Sequence, residues 1–296
     1  MKLCRFNGGR LGVAHPERNV VVDVSAVLDR IAPQRYPLPQ QDLLVASLPS
    51  LRGHIEDAER HGQSLALDSV VLDSPIANPG KIIGAPVNYA DHAAEGQQDK
   101  GIAHGRQIPP IGEWGMFLKA GSSLVGFGQE IELRFADRRN DHELELGVII
   151  GSTCRRVRRS EAMKHIAAYC IALDMTLRGP EFQCFRKSID TYSVLGPWLV
   201  TADEIADPGA LDLELKVNGV VKQRSNTRDL IYDVPRLIEF ASSFYTLNPG
   251  DVIMTGTPAG VGPVKPGDSL EVWIDKIGSG TVRIAPDYVP ANEQDH

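Results

Sequence analysis

Two glutamates stand two residues apart in the stretch "NDHELELGVIIG", at the start of an apolar run. Side chains alternate between the faces of a β-strand, so Glu143 and Glu145 would point the same way and repel each other. Asp174 ends a second apolar run, "YCIALDM", and strand pairing can bring it beside them. Three crowded carboxylates do not all stay ionised without a cation, and oxygen ligands favour a hard divalent ion: Mg²⁺, Mn²⁺ or Ca²⁺. An edge strand with a charged solvent face is the alternative.

A histidine and a glutamate lie three residues apart in "NYADHAAE". On a helix, His92 and Glu95 would share a face, and the carboxylate would fix the imidazole tautomer and raise its basicity. Such a pair can hold and deprotonate a water molecule. The alternative is an exposed first helical turn whose acidic residues favour the helix dipole.

The elements that must position these groups are mostly short strands. A small N-terminal domain over residues 1–75 begins with "RLGVAH" and "NVVVDV" and ends at the turn-rich "DSPIANPGK". Residues 76–296 then contain many short apolar segments separated by Gly and Pro turns, which indicates a mixed, β-dominated α+β fold. The predicted strands are "KIIGA", "MFLKA", "IELRF", "LELGVII", "YCIALDM", "WLVT", "LDLELKV", "DVIMTG" and "SLEVWID".

Three local signals add detail to this picture. Asn218-Gly219 between alternating apolar residues predicts a hairpin, since a type I′ turn needs positive φ at both positions. A helix is predicted from about Asp233 to Tyr245, with Asp233 as its cap, and a second one near Ser160. The glycine-rich "TGTPAGVG" lacks the features of a phosphate-binding loop and predicts a tight loop after a strand, with Thr257 facing a ligand.

Composition excludes several classes of protein. The 296 residues carry a formal net charge of -7, which argues against a nucleic-acid partner because phosphate contacts need a basic surface. The four cysteines form no C-x-x-C pair, which is typical of reduced thiols. We see neither a signal-peptide core nor an apolar run long enough for a membrane span, and therefore expect a cytoplasmic protein.

Seven motifs in order resemble the fumarylacetoacetate hydrolase family over roughly Lys81 to Asp275. They are "KIIGAPVNYADHAAE", "FLKAGSSLVGFGQEI", "DHELELGVIIG", "LDMTLRG", "RKSIDTYSVLGPWLVTADEI", "VNGVVKQRSNTRDLIYDV" and "LNPGDVIMTGTPAGVG". The resemblance implies a mixed β-roll catalytic domain, a homodimer, and a small-molecule keto-acid substrate.

The resemblance also implies roles for individual residues. Glu143, Glu145 and Asp174 match the family's ligands for Mg²⁺ or Mn²⁺, and His92 with Glu95 matches its water-activating pair on a lid helix. Lys187 matches the lysine that stabilises developing enolate or oxyanion charge. The remaining predicted substrate-binding residues are Tyr89, Lys119, Arg178, Glu181 and Thr257.

One departure from the family pattern affects the oxyanion site. Many members have a glutamine three residues after the arginine, whereas this chain has Glu181, which only accepts hydrogen bonds when ionised. In addition, the segment from Glu95 to about Trp114 is long and contains His104 and Arg106. We predict a cover that orders on substrate binding, with a plain surface loop as the alternative.

The predicted activity is metal-dependent hydrolysis of a carbon–carbon bond in a 2,4-diketo acid, either an acylpyruvate or a fumarylacetoacetate-like compound. The His92–Glu95 pair favours this reaction, since an isomerase or decarboxylase has less need of a water-activating base. The alternatives are isomerisation or decarboxylation of 2-hydroxy-dienoate or oxo-diacid intermediates of aromatic catabolism, and a non-catalytic metal-stabilised binding protein.

Overall fold

The structure is a computed structural model that describes residues 1–103 and 107–286. Its strands are β1 (Lys2–Phe6), β2 (Arg10–His15), β3 (Val20–Asp23), β4 (Ser64–Ala66), β5 (Leu72–Asp73), β6 (Ile82–Gly84), β7 (Phe117–Lys119), β8 (Leu124–Val125), β9 (Asn140–His142), β10 (Leu144–Ile150), β11 (Ile166–Asp174), β12 (Thr176–Leu177), β13 (Ser193–Thr201), β14 (Asp212–Val217), β15 (Val220–Asn226), β16 (Val252–Met254), β17 (Gly262–Pro263), β18 (Ser269–Ile274) and β19 (Gly278–Arg283).

Helices are fewer and mostly short. The α-helices are α1 (Leu43–His61), α2 (Ala90–Gln98), α3 (Lys100–Ala103), α4 (Ile111–Trp114), α5 (Gln183–Arg186) and α6 (Val234–Phe244). The 3₁₀ helices are Pro16–Arg18, Ser25–Arg30, Leu67–Ser69, Gly121–Ser123, Arg159–His165, Ala202–Glu204 and Thr227–Asp229. No helix within the two described ranges is long and apolar enough to span a membrane.

One large sheet of twelve strands organises the molecule. Its order is β4-β3-β2-β1-β13-β11-β10-β16-β6-β7, with β5 beside β1 and β8 beside β13. Strands β12, β9 and β17 form a small second sheet, and β15, β14, β18 and β19 form a third. The predicted β-dominated α+β fold is therefore confirmed.

Apolar side chains cover both faces of the large sheet. Along β10, Leu146 and Val148 face the larger hydrophobic core, while Ile149 faces a second core. That second core also contains Leu3 and Ile55 from the N-terminal part of the chain. Residues near the N-terminus thus share both a sheet and a core with the rest of the molecule, and the division at residue 75 stays a prediction.

Most local predictions agree with the structure. The hairpin turns at Asn218 (φ 50°) and Gly219 (φ 78°), and Asp233 caps α6 by accepting a hydrogen bond from the Arg236 amide at 2.9 Å. The helix predicted near Ser160 is a 3₁₀ helix.

The prediction of a strand at "IELRF" is wrong. Ile131 and Leu133 are buried, but Ile131 makes only an isolated bridge to Ile284. The amide of Glu132 donates to the Thr191 hydroxyl at 2.9 Å instead of a strand carbonyl. Alternating burial therefore arises here without a β-ladder.

Candidate metal centre and active-site cavity

The three acids predicted to bind metal meet in the buried interior. Glu143 occupies the single residue between β9 and β10, Glu145 lies on β10, and Asp174 ends the adjacent β11. Each offers a carboxylate oxygen within 4.8 Å of the other two. Because β10 pairs with β11 on one side and β16 on the other, the alternative of an edge strand with a solvent face is wrong.

Two lysines neutralise part of this charge. Lys187 Nζ donates to Glu143 Oε2 at 2.7 Å, Asp174 Oδ2 at 2.6 Å and Thr176 Oγ1 at 2.6 Å. Lys119 Nζ donates to Asp174 Oδ1 and to the Tyr192 carbonyl. Burial lowers the pKa of Lys119, and Asp174 opposes that shift. The sequence predicts Lys119 as a substrate-binding residue, and in the structure its ammonium group contacts Asp174.

Arg178 ties the cluster to a further buried acid. Its Nε donates to Asp141 Oδ2 at 2.7 Å and its Nη2 to Glu143 Oε1 at 2.9 Å. Burial opposes ionisation of Glu143, but Lys187 and Arg178 together outweigh burial and hold the pKa of Glu143 well below its usual range. Asp141, which was not predicted as a site residue, also accepts from Arg139 Nε at 2.8 Å.

Glu145 is the acid of the cluster without an ion-pair partner among the described residues. It accepts a hydrogen bond from the Gly256 amide at 2.6 Å. Burial, together with the nearby Asp174 and Glu143 carboxylates, raises the pKa of Glu145 well above its usual range. A divalent cation bound by the three carboxylates would supply the missing positive charge, so the residues present fit a hard metal ion.

The loop after β16 contacts both the three-acid cluster and the predicted histidine–glutamate pair. The Gly256 amide contacts Glu145, and the Gly260 amide donates to Glu95 Oε1 at 3.0 Å. Gly256 has φ 98°, and a Cβ placed there would lie 2.7 Å from Asn88 Cβ. This position therefore requires glycine for both its backbone conformation and its close approach. The sequence indicated a tight loop but not these two contacts.

The predicted histidine–glutamate pair forms on α2. His92 Nδ1 lies 2.9 Å from Glu95 Oε2. If Nδ1 carries the proton donated to Glu95, Nε2 keeps a lone pair that can accept a proton. His92 is buried and lines the same cavity as the three acids.

A cavity of about 350 Å³ connects these groups. Eight of the predicted site residues line it: His92, Glu143, Glu145, Asp174, Arg178, Glu181, Lys187 and Thr257. Three predicted site residues do not line the cavity: Glu95, Tyr89 and Lys119. Glu95 contacts His92 through a hydrogen bond, and Tyr89 is buried. Ile102, Gln107, Ile108 and Trp114 from the predicted cover also line the cavity. His104 and Arg106 lie outside the described residues.

Two predicted substrate-binding side chains are already engaged by protein groups. The Thr257 hydroxyl donates to the Leu144 carbonyl at 2.9 Å and accepts from Gln223 Nε2 at 2.7 Å. Both Glu181 oxygens accept from Arg138, each at 2.9 Å, which lowers the pKa of Glu181 to about 2. Glu181 therefore faces the cavity as a carboxylate and cannot replace a donating glutamine amide.

Comparison with known proteins agrees with this site. The family model for the fumarylacetoacetate (FAA) hydrolase C-terminal domain matches residues 81–285. The chain belongs to the fumarylacetoacetate hydrolase family. Within that family, it is 51% identical over 286 residues to the maleylpyruvate hydrolase of Aquipseudomonas alcaligenes, covering 96% of this chain and 99% of the relative. The predictions of this family and of an enzyme are confirmed.

Solved structures of other family members are similar to this chain in both fold and sequence. The maleylpyruvate hydrolase of Sphingobium sp. SYK-6, in complex with manganese(II) ion and pyruvate, has a TM-score of 0.81 and 40% identity, covering 96% of this chain and 99% of the other. A 2-hydroxyhepta-2,4-diene-1,7-dioate isomerase from Mycobacterium marinum has a TM-score of 0.69 and 28% identity, covering 96% and 98%. The acid cluster and the manganese complex of the Sphingobium enzyme together indicate a divalent metal. The prediction of a carbon–carbon bond hydrolase is confirmed.

Proposed function

We propose that this enzyme hydrolyses an acylpyruvate whose acyl group carries a second carboxylate, with maleylpyruvate as the first candidate. The observation that carries the proposal is that His92, which is paired with Glu95, lines the same cavity as the Glu143–Glu145–Asp174 cluster. High identity to a maleylpyruvate hydrolase over nearly the whole chain supports the choice of substrate.

The resident metal is proposed to be Mg²⁺ or Mn²⁺, held by Glu143, Glu145 and Asp174. Carboxylate oxygens accept either ion and also Ca²⁺, with water completing the coordination. When bound, the ion supplies Lewis-acid stabilisation of the negative charge that develops on the keto-acid end of the substrate.

The residues of this chain provide the proton transfers. Glu95 orients His92, and His92 Nε2 takes a proton from a water molecule whose oxygen adds to the carbonyl carbon of the acyl group. The bond between that carbon and the methylene of the pyruvyl group then breaks. Its electron pair passes to the pyruvyl enolate, which takes up a proton to give pyruvate, while the acyl group leaves as a carboxylate. Lys187, beside Glu143 and Asp174, adds positive charge where the enolate forms.

Assembly and location remain proposals. We propose a homodimer on the strength of the family resemblance. We propose a cytoplasmic location, as the sequence predicts, and a small N-terminal domain over residues 1–75 that ends at the turn-rich "DSPIANPGK". Light scattering coupled to size-exclusion chromatography measures the assembly directly, and a monomeric mass would contradict the dimer.

A metal-dependent ultraviolet assay tests the reaction. Loss of enol absorbance is followed with acylpyruvates and with dienoic 2-hydroxy acids, before and after chelation, and the products are identified. We expect pyruvate and a free carboxylic acid, with activity restored by Mg²⁺ or Mn²⁺. Release of CO₂ or double-bond migration without cleavage would replace hydrolysis by the decarboxylase or isomerase alternative, and absence of turnover would favour a binding protein.

A further inference from the structure

One buried cation of the cavity has no acidic partner among the residues that the structure describes. Arg186 ends the one-turn helix α5 and is only 8% exposed. With the described residues, its guanidinium makes one hydrogen bond, from Nη1 to the Leu177 carbonyl at 3.3 Å, and no ion pair. The side chain lines the same cavity as His92 and the acid cluster.

The other basic groups beside the acid cluster are already occupied. Lys187 and Lys119 hold Asp174, Lys187 also holds Glu143, and Arg178 bridges Glu143 and Asp141. Arg186 immediately precedes Lys187 in the chain and lines the same cavity. Unlike Lys187, it forms no ion pair with a described residue.

The acids that act on Arg186 electrostatically each have a nearer cation. These acids are Glu143, Asp174 and Glu181, while Arg178 adds repulsion. Glu143 and Asp174 bind lysines, and Glu181 is held in a two-fold contact by Arg138 at 2.9 Å. A buried guanidinium without a charged partner lowers the stability of the fold unless an anion completes its hydrogen bonds.

A ligand carboxylate matches that requirement. The planar guanidinium binds a carboxylate through two parallel hydrogen bonds, and such charge-assisted bonds are strong and selective. An acylpyruvate with a carboxylate on its acyl group has one anionic end for the metal site and a second that must be accommodated elsewhere in the cavity.

We infer that Arg186 binds the carboxylate on the acyl group and so selects dianionic acylpyruvates over those with a neutral acyl group. This assignment rests on the proposed function, because it concerns a substrate bound in the same cavity. Arg186 recognises the substrate and takes no part in proton transfer, which remains with His92.

The test compares two substrates on each variant. Steady-state kcat/KM is measured for maleylpyruvate and for acetylpyruvate with the Mn²⁺-loaded wild type, Arg186→Met, Arg186→Gln and Arg186→Lys. The exposed Arg158, changed to Met, controls for loss of an arginine outside the cavity. Thermal melts followed by circular dichroism verify folding, and Arg186→Gln decides the result if the Met variant does not fold.

We expect the preference for maleylpyruvate over acetylpyruvate to fall about 10- to 100-fold in the Met and Gln variants, mainly through KM, as for a lost charge-assisted contact. Lysine should restore part of it, and Arg158→Met should leave it unchanged. An equal loss on both substrates, or no loss on either, would overturn the assignment.

A separate result identifies failure of the proposed function. If the wild type cleaves neither substrate, calorimetric titration of the Mn²⁺-loaded protein with maleate tests Arg186 without turnover. At least tenfold weaker maleate binding by Arg186→Gln than by wild type would support the inference, and equal affinity would refute it.

Discussion

Single residues set the charge balance of the site, and Glu145 is the proposed metal ligand that has no paired cation among the described residues. It is buried beside two other acids, has no ion-pair partner in the described part of the chain, and its pKa is raised. Lysines already offset the charge of Glu143 and Asp174. The metal-free cluster is therefore strained by repulsion that a cation would relieve.

Changing Glu145 to Gln should separate stability from metal binding. The amide oxygen can still accept from Gly256, but the repulsion is lost, so the metal-free variant should melt at a higher temperature than the metal-free wild type. Metal at about 100 times Kd should stabilise the wild type by about 2.7 kcal/mol, or roughly 4 °C in Tm, and the variant far less. Thermal melts with and without Mn²⁺ measure both effects, with the exposed Glu271→Gln as the control. An undiminished shift in Glu145→Gln would remove Glu145 from the metal site.

Replacing His92 with Gln should abolish most turnover without preventing metal binding. A positioned general base contributes about 10²–10⁴-fold to rate, so kcat should fall by that factor. Manganese affinity, measured by calorimetry, should stay close to the wild-type value. The exposed His54→Gln on α1 is the matched control. Parallel loss of metal affinity would mean that His92 is a ligand or supports one.

The pH dependence of activity should carry no contribution from Glu181. Arg138 lowers the pKa of Glu181 from 4.5 to about 2, so the carboxylate stays ionised throughout the neutral pH range. Its ion pair stabilises the fold above the ordinary pKa, and this contribution is lost as pH falls through about 2. Glu181→Gln should therefore change the size of kcat/KM but not the shape of its pH profile. A limb of that profile that disappears in the variant would contradict this.

At the scale of elements, the loop after β16 contacts both the proposed metal site and the histidine–glutamate pair. Gly256 and Gly260 donate backbone hydrogen bonds to Glu145 and Glu95, which belong to β10 and α2. A shift of this loop would disturb both acids together, because one short segment contacts each of them.

Gly256→Ala should weaken metal binding in addition to destabilising the backbone. The added methyl group meets Asn88 Cβ at 2.7 Å, and strained positive φ costs about 1–3 kcal/mol. We expect a lower Tm together with weaker metal binding. Gly267→Ala is the matched control, since Gly267 has φ 87° but nothing within 4 Å of an added Cβ. Normal metal affinity in Gly256→Ala, measured by Mn²⁺ titration, would show that the loop does not position Glu145.

At the scale of the whole molecule, the N-terminal residues are part of the structure that holds the site. Strand β1 pairs with β13, which pairs with β11, the strand that ends in Asp174. Leu3 and Ile55 share a core with Ile149 of β10. The energetics of residues 1–75 and 76–296 are thus expected to be coupled.

Calorimetric unfolding in the presence of chelator should show a single transition. Shared sheet hydrogen bonds and a shared core make the two parts lose their structure together. Two separate transitions, with one assigned to residues 1–75 by limited proteolysis, would instead establish an independent N-terminal domain.

Short-range patterns in the sequence determined much of the chemistry. Glu143 and Glu145 stand two apart, His92 and Glu95 three apart, and Asn218-Gly219 specifies its own turn, so local geometry alone predicts each arrangement. Apolar periodicity likewise predicted most of the longer strands, such as β10, β11, β14 and β18, but it did not predict β1, β19 or most of the two- and three-residue strands. The predicted strand at Ile131 does not form, which shows that alternating burial does not require a strand partner.

Tertiary structure decided which groups surround those residues. Lys119 reaches Asp174, the Gly256 amide reaches Glu145, and the Gly260 amide reaches Glu95 across 55, 111 and 165 residues of sequence. No local rule relates positions so far apart, because strand pairing and packing of the whole sheet bring them together. For the same reason, adjacent Arg186 and Lys187 look equivalent in the sequence, and only the fold gives the acids to Lys187 and leaves Arg186 facing the cavity.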